Sequence, residues 1–165
     1  IITQNAILML QKISFNKREE VSEHIKKNSY YALGIASVEE ILNLNILQAS
    51  LLSMKRAIEK LEIKPGLTLI DGNFAPKGLK NYKTIINGDE KIKVISAASI
   101  IAKVYRDKFM IRLSKKFSNY AWDRNFGYGT KAHFEGLKKY GVAQVLSIAV
   151  NTFLFLAIDI IFDRS

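Results

Sequence analysis

The stretch from Leu67 to Asp107 decides how this chain folds; it reads LTLIDGNFAPKGLKNYKTIINGDEKIKVISAASIIAKVYRD. Within it, one apolar run stops at Asp71 and a glycine, and a second apolar run is followed by Asn-Gly and Asp89. Each run has the length and apolar character of a short β-strand, so each carboxylate is expected at a strand end. Two neighbouring strands of this kind place both acids at one point of a sheet.

A helix of small residues follows the second acid and becomes basic at Lys103 and Arg106. Paired carboxylates beside a basic surface suit Mg²⁺ and phosphate, because Mg²⁺ takes hard oxygen ligands. Hydrolysis of a phosphodiester with two ions needs several carboxylates that hold them ~3.5–4 Å apart. The alternative for Asp71 or Asp89 alone is a turn residue after a strand. Asp107 is a third acid, which we interpret as structural, in an ion pair with its neighbour Arg106.

The composition predicts a single globular domain with a basic surface. The 165 residues are 48% hydrophobic and 24% charged, and 25 Lys and Arg against 15 Asp and Glu give a net charge of +10. This excess favours a polyanionic partner, although a generally basic solvated surface is the alternative. The absence of cysteine excludes disulfides and thiolate metal sites and is compatible with a reducing compartment, so we expect a cytoplasmic protein.

Capping signals and periodicity divide the chain into alternating helices and strands, which predicts an α/β domain. Capping-box patterns at Asn16, Ser37 and Asn45 open three helices. The third has a predicted buried face of Ile46, Leu47, Leu51, Met54, Ile58 and Leu61. Strands are predicted over 30–36, 67–70 and 82–86, helices over 94–117 and 131–140, and a glycine-bracketed loop over 125–130.

The last part of the chain, residues 142–165, is an apolar tail. Its 142–162 portion is long enough to span a bilayer as a helix at ~1.5 Å per residue. It nevertheless contains Gln144, Asn151 and Asp159, and an acid at mid-bilayer costs roughly 2.5–3.5 kcal/mol. We therefore predict a buried or partner-seeking C-terminal helix in preference to a membrane span.

Six blocks of the sequence, in order over residues 12–141, resemble bacterial ribonuclease HII. They are Gly34–Ile41, Asn45–Ala57, the Asp71 motif, the Gly88-Asp89 motif, Ser96–Asp107 and Gly127–Lys131 with His133. The resemblance implies an RNase H-like fold, with a central mixed sheet flanked by helices. It also implies a Mg²⁺- or Mn²⁺-dependent endonuclease that cuts RNA within RNA–DNA hybrids, on the 5′ side of a ribonucleotide.

The resemblance also assigns residues. Asp71 and Asp89 look like the third and fourth of the family's four catalytic, metal-binding acids. Tyr128 matches the tyrosine that reads the ribonucleotide, which agrees with the 2′-OH being what separates RNA from DNA; the alternative is a packing residue in a glycine turn. We expect Asn73, Lys103 and Arg106 to bind substrate with it, although a solvated helix face is an equal alternative for the two cations. His133 is interpreted as structural.

The sequence departs from the family pattern at both ends. The family's opening strand with adjacent Asp and Glu, and the Gly-Arg-Gly loop after it, are absent from these residues, and the apolar tail replaces a basic stretch. We therefore expect a truncated or frame-shifted form, with a catalytic domain over 1–141 that lacks its N-terminal strand and is impaired in activity. The alternatives are a non-catalytic binder of RNA–DNA hybrid and a membrane-attached protein. No protein partner is implied, and we expect no membrane partner.

Overall fold

A computed structural model describes residues 14–141 and the backbone of a strand at 160–162. Along the chain the elements are α1 (Phe15–Asn28), β1 (Ser29–Tyr31), α2 (Val38–Leu44), α3 (Ile46–Lys60), β2 (Thr68–Asp71), β3 (Tyr82–Ile85), α4 (Gly88–Lys91), α5 (Lys93–Ser114), a 3₁₀ turn (Ser118–Tyr120), α6 (Trp122–Asn125), α7 (Lys131–Tyr140) and β4 (Ile160–Phe162). Helices outnumber strands, and the predicted α/β class is confirmed.

The described strands form two separate pairs. β2 and β3 are parallel, with Asp71 opposite Ile85, and β1 and β4 are antiparallel, with Tyr31 opposite Ile160. The predicted single mixed sheet is therefore not present among the described residues. One reason is that the segment predicted as strand 30–36 pairs regularly only as far as Tyr31, and its continuation packs against a helix.

That continuation contacts α3 at Gly34. A Cβ built on Gly34 would lie 1.8 Å from the backbone oxygen of Ser53 and 2.7 Å from the backbone nitrogen of Ala57. The fully buried face of α3 accordingly consists of small residues, Ala49, Ser53 and Ala57. The prediction of a large apolar buried face on α3 is wrong in part, because its first two residues are exposed and the others are only partly buried. Close backbone approach, not apolar periodicity, selects this face.

The long helix α5 is the centre of the molecule. Its Ala97 and Ile101 are buried against Ile25 of α1 and Leu33. Near its other end, Met110 packs with Tyr120 and Trp122 in a second core. Because α5 also contacts the β2 strand and α4, it connects the sheet edge to the C-terminal elements. The helix is shorter than the predicted 94–117 at its C-terminal end, where it stops at Ser114.

Capping predictions are confirmed at two helices and wrong at a third. Ser37 and Glu40 form the reciprocal capping box, and the Asn45 side chain accepts from the backbone N–H of Gln48 at 3.1 Å. In contrast, α1 begins after Ser14, and no side chain caps it, so Asn16 does not have the predicted role. The predicted α7 and its stop at Gly141, with φ of +82°, are confirmed.

Most of the apolar tail lies outside the described residues. Its described portion, Ile160–Phe162, is a strand on β1, so the predicted C-terminal helix is wrong for these three residues. A short run of Ile, Ile and Phe cannot be assigned to helix or strand from periodicity alone, and here an available strand edge decides it. Within residues 14–141 and 160–162, no helix is long and apolar enough to cross a membrane.

Candidate active site

Asp71 is the last residue of β2, and a hydrogen bond from the turn after β3 holds its side chain. Its Oδ1 accepts a hydrogen bond from the backbone N–H of Gly88 at 2.7 Å. Gly72 N–H continues the ladder by donating to Ile85 O at 3.0 Å. The carboxylate therefore has a fixed orientation at the end of the parallel pair, while Asp71 remains exposed to solvent.

Asp89 directly follows Gly88, the donor of this hydrogen bond. It was predicted at a strand end, but β3 stops at Ile85, and Asp89 is in the first turn of the four-residue helix α4. Asn87 changes the chain direction here with a left-handed φ of +52°, which asparagine tolerates better than most residues. The turn that carries Asp89 nevertheless lies next to Asp71, because Gly88, which precedes Asp89, donates its N–H to the Asp71 carboxylate.

Gly88 permits this arrangement because there is no room for a side chain. A Cβ on Gly88 would lie 2.6 Å from Cδ1 of Ile95 on α5, and 3.4 Å from both Oδ1 of Asp71 and Cβ of Ile85. The first turn of α5 is thus packed directly on the turn that carries Asp89. The Asn-Gly-Asp sequence signals this turn, although its packing partner is not visible from sequence.

The two aspartates suit a hard divalent cation as a partial ligand set. Both provide carboxylate oxygens, which Mg²⁺ and Mn²⁺ accept, and Asp71 keeps Oδ2 available beyond the bond to Gly88. In residues 14–141, no group of three or more His, Cys, Asp or Glu side chains converges to hold a metal. Two carboxylates can supply part of the shell of one such ion, with water in the remaining positions.

Tyr128 forms a cluster with two cations of α5. The Lys103 ammonium donates to the Tyr128 hydroxyl at 3.1 Å and lies 4.8 Å from the ring centroid. The Arg106 guanidinium carbon is 5.3 Å from the same centroid. Both distances fall within the range of cation–π attraction, ~6 Å. Three predicted substrate-binding residues are therefore in mutual contact, and the ring remains about half exposed at 48%.

A glycine turn presents Tyr128 to these cations. Gly127 has a left-handed φ of +78°, and a Cβ on it would lie 2.9 Å from Cε of Met110 on α5. The backbone N–H of Tyr128 donates to Asn125 O at 2.8 Å, which closes the turn. The predicted loop over 125–130 is confirmed except at Asn125, which ends α6.

Asn73, the remaining predicted substrate-binding residue, is exposed in the loop after Asp71, on the side of the acids and not in the tyrosine cluster.

The helix α5 connects the two acids to the tyrosine cluster. Ile95 contacts Gly88 beside the acids, and Lys103 is eight residues further along the helix, which corresponds to ~12 Å along its axis. A nucleic acid strand that contacts both clusters must therefore run along α5.

Asp107 and His133 have the structural surroundings expected of them. Asp107 is fully buried and bonded to Arg18 of α1 at 3.3 Å, so its main partner is Arg18 and not the predicted Arg106. Burial raises the pKa of the Asp107 carboxyl, and nearby cations oppose that shift. His133 accepts at Nδ1 from Trp122 Nε1 at 3.2 Å, and burial lowers the pKa of its imidazole. Sequence reasoning missed Arg18, because nothing in α1 marks a charged residue for burial.

Comparison with known proteins finds a matching family model and several similar proteins. A family model described as Ribonuclease HII matches residues 5–154. A protein named Ribonuclease HII from Pelagibacter ubique is 61% identical over 131 residues, covering 78% of this chain and 70% of that protein. One from Anaplasma marginale is 52% identical over 130 residues, covering 78% of this chain and 54% of that protein. One from Rickettsia bellii is 44% identical over 159 residues, covering 94% of this chain and 81% of that protein.

The extent of the matched region differs between relatives, and it reaches into the apolar tail. The chain spans about half of the Anaplasma protein and about four fifths of the Rickettsia one, so the share of a relative that is matched differs widely. The likeness also extends past Gly141, where our sequence comparison ended, because the family model reaches residue 154. Part of the apolar tail thus lies within the matched region.

Proposed function

Because this chain belongs to the ribonuclease HII family, we propose that it acts as a metal-dependent endoribonuclease on the RNA strand of RNA–DNA hybrids. Members of this family are hydrolytic ribonucleases. The observation that carries the proposal is the hydrogen bond from Gly88 N–H to Asp71 Oδ1 at 2.7 Å, which fixes Asp71 beside the turn that carries Asp89. The net charge of +10 and the absence of cysteine fit a nucleic-acid enzyme of the cytoplasm.

In this mechanism, Asp71 and Asp89 would hold Mg²⁺ or Mn²⁺ through their carboxylate oxygens, and the ion when bound would supply a polarised water and neutralise charge on the phosphate. The residues of the chain provide the geometry: the Gly88 N–H orients Asp71, and the packing of Ile95 on Gly88 fixes the turn of Asp89.

The tyrosine cluster supplies recognition of the substrate. Lys103 and Arg106 attract a phosphate of the backbone, which positions the duplex without reading its sequence. Tyr128 presents a half-exposed ring and a hydroxyl to the sugar, where the 2′-OH distinguishes a ribonucleotide from a deoxyribonucleotide. Asn73, in the exposed loop after Asp71, contributes a contact to the same strand near the cut.

The test is cleavage of duplex DNA that contains one embedded ribonucleotide, with Mg²⁺ or Mn²⁺. We expect product cut on the 5′ side of the ribonucleotide, and none with Asp71→Asn. The matched control is Asp123→Asn, which makes the same chemical change at an exposed aspartate beside Arg124. Full activity of Asp71→Asn would overturn the assignment of Asp71 as a metal ligand, and an equal loss in Asp123→Asn would show that the effect is not specific to the site.

A second candidate function is binding of RNA–DNA hybrid without cleavage. It is favoured by one observation: within residues 14–141 Tyr128 is in contact with both Lys103 and Arg106, whereas no group of three or more His, Cys, Asp or Glu side chains converges to hold a metal. Two carboxylates by themselves hold one ion only weakly. Salt-dependent binding without metal-dependent product would support the binder.

A further inference from the structure

Beneath the substrate-binding cations, two ion pairs join α1 to α5. Arg18 donates to Asp107 at 3.3 Å in the interior, and Lys108 contacts Glu19 at 2.5 Å at the rim. Arg18 and Glu19 are consecutive on α1, and Asp107 and Lys108 are consecutive on α5. The charges run from positive to negative along α1 and from negative to positive along α5. The rim pair is partly exposed, whereas the Asp107 side chain is completely buried and that of Arg18 is 10% exposed.

The buried pair is a costly arrangement in terms of stability alone. Removing a carboxylate and a guanidinium from water carries a penalty that their attraction offsets only when the remaining hydrogen-bonding positions are also filled. Here Oδ1 of Asp107 accepts no hydrogen bond from any of the described residues. Replacement of a buried ion pair by apolar residues of similar volume is often neutral or stabilising, so stability alone is a weak reason for this pair.

The charge of Asp107 acts on the tyrosine cluster. Lys103 precedes Asp107 by four residues, so the two side chains are neighbours on one face of α5. Both Lys103 and Arg18 lower the pKa of Asp107 against the effect of burial. The Lys103 ammonium also donates to the Tyr128 hydroxyl at 3.1 Å. Lys103 thus lies between the buried Asp107 charge, one helical turn away, and the exposed ring.

We propose that Arg18 and Asp107 are positioning residues for substrate recognition: their buried pair fixes a negative charge one helical turn from Lys103 and thereby holds the Lys103 ammonium against Tyr128. Neither residue touches the nucleic acid. Without the Asp107 charge, the Lys103 ammonium loses an electrostatic attraction and is held less firmly against Tyr128, because the lysine stem is long and flexible. The Tyr128 hydroxyl then loses the donor that fixes its orientation. This proposal rests on the proposed function, in which Tyr128 reads the ribonucleotide.

The experiment measures binding by fluorescence anisotropy to two duplexes, one of DNA alone and one with a single ribonucleotide. Asp107→Asn keeps the shape and removes the charge, and we expect its preference for the ribonucleotide duplex to fall on the order of tenfold. Glu19→Gln is the matched control, because it breaks the rim pair of the same two helices, and it should keep the preference. In a Lys103→Met background, Asp107→Asn should have almost no further effect.

An equal loss from Asp107→Asn in both backgrounds would overturn the proposal, because the residue would then act on the fold and not through Lys103. If Asp107→Asn does not fold, the apolar double variant Arg18→Met with Asp107→Leu replaces it. This variant should fold and still lose the preference; retention of the preference would also overturn the proposal.

A ligand-free measurement separates this proposal from the proposed function. In protein labelled with ¹³C at tyrosine Cζ, the Tyr128 resonance is assigned from Tyr128→Phe. We expect Asp107→Asn to shift that resonance and Glu19→Gln to leave it unchanged; no shift in Asp107→Asn would refute the positioning role. If the wild-type chain binds both duplexes with equal affinity, the proposed recognition of the ribonucleotide is refuted. The tyrosine spectrum still tests whether Asp107 positions Lys103 against Tyr128.

Discussion

Replacement of Gly88 by alanine should destabilise the protein through one identifiable methyl group. The new Cβ would lie 2.6 Å from Cδ1 of Ile95, whereas carbon atoms pack at ~3.5–4.0 Å, so the overlap is about 1 Å. Ile95 is buried, so its end cannot swing into solvent. Overpacking of this kind costs about 1–3 kcal/mol. At about 2–4 °C per kcal/mol for a domain of this size, Tm should fall by about 2–12 °C.

The clash has a direct partner test. Ile95→Val removes the Cδ1 methyl and by itself costs about 0.5–1.5 kcal/mol. In the Ile95→Val background, Gly88→Ala should therefore be nearly neutral, and the two changes should show a favourable coupling of about 1 kcal/mol or more. Gly66→Ala is the control, because no atom lies within 4 Å of the Cβ position on Gly66. It should be neutral or stabilising by up to about 1 kcal/mol.

The assay is urea denaturation followed by the fluorescence of Trp122, the single tryptophan of the chain. The wild type, Gly88→Ala, Ile95→Val and the double variant are compared at one pH. Their four free energies of unfolding give the coupling free energy between Gly88→Ala and Ile95→Val. An equal loss of stability from Gly88→Ala in both backgrounds would refute the reasoning, because the penalty would not come from Ile95. Full stability of Gly88→Ala alone would refute it as well.

Three further predictions concern other parts of the molecule. Burial lowers the pKa of His133 from 6.5, so the unfolded state binds more protons than the folded state. The free energy of unfolding should therefore fall as pH drops below about 6.5. His133→Gln should flatten that dependence in thermal melts read by Trp122 fluorescence. Arg56 lowers the pKa of Glu40 from 4.5 to about 2, so stability present above pH 4.5 is lost as pH falls toward 2; Arg56→Met should shift the acid-unfolding midpoint upward, and an unchanged midpoint would contradict this. Gly34→Ala places a Cβ 1.8 Å from a backbone oxygen of α3, which no side-chain rotation relieves, so circular dichroism should show loss of the fold or destabilisation above about 3 kcal/mol.

Local signals in the sequence predicted the features that depend on neighbouring residues. The capping box at Ser37 and Glu40 needs only a hydroxyl and a carboxylate three positions apart, and both hydrogen bonds form. The stop at Gly141 needs only a residue that accepts a left-handed φ. The two apolar runs predicted the short strands before Asp71 and Asp89, although Asp89 is on a helical turn and not at a strand end.

Only the tertiary structure decided which surfaces are buried and which charges are paired. Gly34 lies against the backbone of α3, so alanines and a serine form its buried face in place of the larger residues that periodicity favours. Asp107 pairs with Arg18, 89 positions away and on another helix, and not with its neighbour. The sequence alone indicated the family, the candidate residues and most of the elements, because turns, caps and motifs are short-range. Close packing and long-range ion pairs depend on how helices meet, which no local pattern encodes.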